Sequence, residues 1–99
     1  MGADAGLMLA ILDQDWRPRR LLPLRADWSL LVRHVLAEDG KWLAVLQQRP
    51  PHDTPLPRAT DIRLTRALAR SLRPLDLRLA DHVIRAGPTR FSFRGAGLL

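Results

Sequence analysis

Cysteine is absent from the 99 residues. That removes disulfides, thiolate metal sites and cysteine nucleophiles together, and it is compatible with a reducing compartment. Long hydrophobic runs are also missing: no stretch approaches the roughly 18 apolar residues of a membrane span. The N-terminal run Gly-Leu-Met-Leu-Ala-Ile-Leu is short, lacks a basic flank and meets Asp13 without a small-residue cleavage site. The expectation is a cytoplasmic chain with no membrane partner. Lysine is reduced to Lys41, so the net charge of +6 rests on fifteen arginines and this one lysine against ten acids. A basic balance favours attraction to polyanions or acidic protein surfaces without specifying either. There is no glycine-rich phosphate loop, no zinc-finger spacing and no serine with a histidine and an acid arranged around it. Internal repeats, low-complexity tracts and linkers are absent too. With a hydrophobic fraction of 46%, residues 1–99 are bounded as one small domain with one core.

In chain order, Gly6 to Leu12 reads as a buried strand. Asp13 to Pro18 is a turn rich in turn-forming residues, and Arg19 to Leu24 returns as an edge strand marked by Pro23. Asp27 is placed to cap a helix from Trp28 to about Glu38, in which Trp28, Leu31, Val32, Val35 and Leu36 recur at helical spacing and Gly40 lies just past the end. That helix is expected to cover one sheet face.

The segment from Lys41 to Asp61 organises the rest. Trp42 to Leu46 is a continuous apolar run, suited to a central strand buried on both faces. Gln47, Gln48 and Arg49 turn polar, and Pro50, Pro51, Pro55 and Pro57 deny the backbone a ladder or a helix until Thr60, placed to cap a second helix. Polar groups thus arrive at the carboxyl end of a buried strand, where open α/β sheets place their sites. The second helix is expected from Asp61 to about Leu72, stopped by Pro74, with Leu64, Leu68, Ser71 and Leu72 on its apolar face. Leu75 to Ala86 reads as a strand, Gly87-Pro88 as a turn, and Thr89 to Arg94 as a last strand with Phe91 and Phe93 on one face. Strand, strand, helix, strand, helix, strand, strand is the order of an α/β or α+β domain with a mixed sheet.

Several of these residues carry a family pattern. Pro50, Asp53, Pro57 and Asp61 match a loop motif, allowing one extra residue between Asp53 and Pro57. In the tail, Asp81, His82, Ile84, Gly87, Ser92, Phe93, Gly97, Leu98 and Leu99 match in register. On these residues the chain resembles the RadC-like JAB domain (MPN domain, JAMM motif) of bacteria. The resemblance implies a three-layer, cytidine-deaminase-like fold with a mixed central sheet flanked by two helices.

In that family two histidines and an aspartate hold a zinc ion, and a first-strand glutamate activates water, as zinc hydrolysis requires. Here the two histidine positions read Gln47 and Arg49, the expected serine reads Arg58, and the glutamate falls near Ala5, with Asp4 one residue out of register. Glutamine is a poor zinc ligand, and a protonated guanidinium offers no lone pair. Asp61 alone survives of the set. The expectation is a degenerate, metal-free domain without a cofactor, a pseudoenzyme that acts as a binding or scaffolding module with a protein partner or with itself.

Two other readings stand beside it. His52, Asp53 and Asp61 would have to form a relocated zinc site for a JAMM metallohydrolase with isopeptidase-like activity; a loop histidine among prolines is otherwise simply solvated. Arg63, Arg66, Arg70 and Arg73 fall in one narrow stripe of the second helix, on which Asp61 is the only acid. That stripe reads either as a solvated face or as a site for an acidic partner or nucleic acid, the latter in keeping with the family's DNA-repair label. Asp81 and His82 are strand neighbours pointing to opposite faces, so a packing role is expected of them in place of an acid/base dyad. His34 is expected at the rim of the first helix. Trp16, Trp28 and Trp42 are scattered through the chain, and core roles are expected of them.

Overall fold

The computed structural model describes residues 6–24, 27–38 and 40–99. Among these residues, five strands and two helices run in the order β1 (Leu7–Leu12), β2 (Pro18–Pro23), α1 (Trp28–Ala37), β3 (Trp42–Arg49), α2 (Ala59–Leu72), β4 (Arg78–Ala86) and β5 (Thr89–Ser92). The strands form one sheet in the order β2-β1-β3-β4-β5. Only β3 and β4 run parallel; the β1–β2, β1–β3 and β4–β5 pairs are antiparallel. Two parallel neighbours need a crossover, and α2 supplies it. This is the expected mixed α+β domain with two helices.

The sheet's core face is read directly from alternation. Leu9 pairs with Val45 and Ile11 with Leu43, and these side chains share one cluster with Val35 of α1 and with Leu68 and Leu72 of α2. Each fully buried aliphatic side chain here contributes roughly 2 kcal/mol. The other face is lined by Ala10, Leu12, Ala44 and Ala80, against which Trp42 and Leu46 pack half-buried.

Asp27 caps α1 as expected, accepting from the Ser29 N–H at 2.8 Å. The tight β1–β2 turn is tied by Asp13, whose carboxylate accepts from the Asp15 and Arg17 amides at 2.8 and 2.9 Å. Trp16, at φ 62°, lies 5.2 Å from the Trp42 ring, with the Arg94 guanidinium 4.9 Å from its centre.

Four boundaries differ from the sequence expectation by more than one residue. The central strand does not end at Leu46 but continues through Gln47 and Gln48 to Arg49, because the polar side chains that face inward find partners there. Helix α2 begins at Ala59 with Arg58 in the cap position, and Thr60 lies inside the helix instead of capping it. Pro74 sits in a short 3-10 turn, Arg73–Leu75, closed by Asp76 at φ 58°, so β4 starts at Arg78 and not at Leu75. The last strand ends at Ser92, because Arg94 to Gly97 fold into turns. The buried face of α2 is also rotated from the expected one: Asp61, Thr65, Leu68 and Leu72 point inward, Leu64 is half-buried and Ser71 is exposed.

One irregularity in β4 decides what reaches the site. Leu79 pairs with Leu43, but Ala44 pairs with Asp81, so Ala80 is an extra residue in a β-bulge. Plain alternation from buried Leu79 would turn Asp81 inward. The bulge reverses the phase and turns His82 and Ile84 inward instead.

Candidate functional site

The carboxyl end of β3 and the first turn of α2 bring Gln47, Arg49 and Asp61 together. Gln47 and Arg49, two apart on the strand, share the face toward the helix. Asp61 stands in the first turn of α2, where a helix N-terminus favours a negative charge. Its carboxylate is buried and fully engaged. Oδ2 accepts from the Arg58 amide at 2.7 Å and from Arg49 Nη2, and Oδ1 accepts from Gln47 Nε2 at 3.2 Å. Burial by itself would raise the Asp61 pKa; the Arg58 N–H, the Gln47 amide and the Arg49 guanidinium outweigh it and hold the carboxyl below the usual value of 3.8.

Arg49 is equally enclosed. Beyond Asp61, its Nη1 donates to the carbonyls of Thr54 at 2.9 Å and Leu56 at 2.7 Å, so one guanidinium fastens the proline loop to the sheet. Its Nε is buried without a partner. The guanidinium is therefore a cation ringed by one carboxylate and two main-chain oxygens.

A second layer stands behind this pair. The Asp61 carboxylate fixes the Gln47 amide, leaving its Oε1 toward His82 Nε2 at 2.9 Å. On the other side of the ring, Nδ1 lies 2.6 Å from the Thr65 hydroxyl, which is also 2.9 Å from the Asp61 carbonyl. His82 is 0% exposed and stacks on Phe93, with centroids 4.5 Å apart and planes 3° from parallel. Burial lowers its pKa from 6.5 to about 4, opposed by the charges of Asp61 and Asp81 and aided by that of Arg49. The imidazole is thus neutral at pH 7, and the acceptor at Gln47 assigns its proton to Nε2. Asp81 faces away from this network. It accepts from Ser92 Oγ at 2.6 Å and from the Arg94 amide at 3.0 Å, tying the tail to β4.

The residues considered for a relocated metal site are not gathered. His52 is exposed, and Asp53 forks onto Arg58 Nη2 at 2.9 and 3.1 Å while Asp61 holds Arg49. The Thr54 amide and the Arg58 guanidinium hold the Asp53 carboxyl below 3.8. Among the described residues, no three His, Cys, Asp or Glu side chains converge as a metal would require. Ala5 and Asp4, the positions considered for the water-activating acid, lie outside the described residues.

Arg63, Arg66 and Arg70 are exposed on the outer side of α2, and Arg73 comes next on the 3-10 turn. Together with Leu98 and Leu99 they line a groove along the helix. Among the described residues no carboxylate comes within ion-pair distance of these four. Among the described residues, no helix is long and apolar enough to cross a membrane.

The family profile described as RadC-like JAB domain matches residues 25–98. The chain belongs to the RadC-like JAB domain family. Similar curated proteins include the UPF0758 protein of Cupriavidus taiwanensis, 42% identical over 57 residues, which cover 58% of this chain and 25% of that protein. Another is the UPF0758 protein of Herminiimonas arsenicoxydans, 40% identical over 55 residues, covering 56% of this chain and 25% of that protein. In both cases the match spans about a quarter of the relative's length.

Two members of this buried network, His82 and Thr65, are not marked out for this role by sequence. The available signal for His82 is its place two residues before buried Ile84, in the same phase of the strand. Thr65 lies one helical turn beyond Asp61, which sets both on one face.

Proposed function

We propose that this JAB domain is a metal-free, catalytically inactive member of its family that works as a binding or scaffolding module. One observation carries the reading: the Arg49 guanidinium lies against Asp61, with Gln47 bonded to the same carboxylate. By the resemblance, these three positions are where active relatives hold zinc with two histidines and an aspartate. The donor chemistry does not fit a metal. A guanidinium has no lone pair to give, and its charge would repel a cation at the distance it keeps from Asp61. Arg49 instead supplies the positive charge from within the chain, so the site is complete as a structural ion pair. His82 supports this through Gln47 and has no exposed face toward a substrate.

The test is restoration. The double variant Gln47→His and Arg49→His recreates a two-histidine, one-aspartate donor set with Asp61. Zinc uptake near one per chain by the double variant, with substoichiometric zinc in the native protein, supports the reading. Stoichiometric zinc in the native protein overturns it.

A further inference from the structure

We infer that the groove along α2 is a docking site for an acidic, leucine-bearing peptide segment of a protein partner. The proposal deepens the binding-module reading by naming the surface and the chemistry of its occupant.

Arg63, Arg66, Arg70 and Arg73 stand three and four residues apart, a helical stripe about 15 Å long at 1.5 Å per residue. They lie opposite the buried Asp61–Thr65–Leu68–Leu72 face, and among the described residues none has a carboxylate partner. Four exposed guanidinium groups along one ridge repel one another, and an anionic partner relieves that repulsion. The groove beside the ridge is apolar as well as basic. Half-buried Ala69 lines it, and Leu98 and Leu99 are 52% and 37% exposed along it. A phosphate backbone has no use for leucine side chains, and none of the groove's lining residues is aromatic, so base stacking has no platform there. A peptide presenting acids on one flank and aliphatic anchors on the other satisfies both features, as in helix-in-groove recognition.

A second copy of this chain does not supply the complement. Among the described acids, Glu38, Asp53, Asp61 and Asp76 are already in ion pairs, and Asp81 is bonded to Ser92 and the Arg94 amide.

The experiment is fluorescence anisotropy of the whole chain with three labelled probes at fixed salt: a 14-residue peptide of alternating Glu-Glu and Leu-Leu pairs, a 14-residue all-glutamate peptide, and a short DNA duplex. The expected result is binding of the Glu/Leu peptide at least tenfold tighter than either other probe. Arg66→Glu with Arg70→Glu weakens it at least tenfold, Leu98→Ser weakens it several-fold, and Arg33→Glu on exposed α1 changes it less than twofold. Equal binding of the two peptides, tighter binding of the duplex, or equal loss on Arg33→Glu overturns the proposal. Because these positions are exposed, unchanged thermal melts separate lost binding from lost folding. Zinc content measured on the same sample reads the buried site separately, so either idea can fail without the other.

Discussion

Arg49 and Asp61 form a buried ion pair that joins the end of the central strand to the first turn of α2, twelve residues on. Both side chains are almost wholly withdrawn from solvent, which makes the pair costly to break from one side. Arg49→Leu leaves Asp61 buried and uncompensated and releases the carbonyls of Thr54 and Leu56. A loss of about 3–5 kcal/mol is expected in urea denaturation. The double variant Arg49→Leu with Asp61→Leu is expected to lose clearly less than the sum of the single variants, and simple additivity would refute the coupling.

His82 gives the domain an acid sensitivity. Its folded pKa of about 4 lies below the unfolded value of 6.5, so the unfolded chain takes up the proton first as pH falls. This contribution is complete above pH 6.5 and is lost progressively between 6.5 and about 4. The gap corresponds to roughly 3 kcal/mol. His82→Gln is expected to flatten the stability profile across that window, even if it lowers stability overall. Asp61, held below 3.8, adds its own loss only at lower pH, as it is protonated.

Thr65 and His82 are linked at 2.6 Å, so Thr65→Val leaves Nδ1 of the ring unpaired in the core. The near-isosteric change is expected to cost about 1–3 kcal/mol, measured as the midpoint shift in urea. A neutral result would mean that the hydroxyl is not a partner of the ring.

Gly87 turns the β4–β5 hairpin at φ 55°, and a Cβ there would stand 2.7 Å from the Pro51 carbonyl oxygen. Gly87→Ala combines backbone strain with that close approach and is expected to lower stability by roughly 2 kcal/mol. The effect should also loosen the proline loop, visible as faster amide exchange at Thr54 and Leu56.

Much of this architecture is legible in the sequence. The apolar run Trp42 to Leu46, the Asp27 cap and the proline cluster place the central strand, α1 and the loop, because each depends on local chemistry. The end of β3 is hidden because Gln47 and Arg49 look like loop residues until Asp61 and two carbonyls are known to meet them. Thr60 is the better intrinsic cap, yet Asp61 reaches back to the Arg58 amide and lets the helix start earlier, at Ala59. The inward turn of His82 depends on the Ala80 bulge, and periodicity does not reveal a bulge. The arginine ridge is legible as a stripe, whereas the leucines beside it come from the far end of the chain and meet it only in the fold.

We propose that Arg49 stands where a relative would hold its metal. The most direct measurement is the zinc content of the native protein, purified without chelator or metal-affinity tag, by inductively coupled plasma mass spectrometry. The expected content is well under 0.1 zinc per chain, an order-of-magnitude bound set by a guanidinium that cannot coordinate a cation. About one zinc per chain, lost on Asp61→Asn or His52→Ala, would contradict it and point to a relocated metal site in the loop.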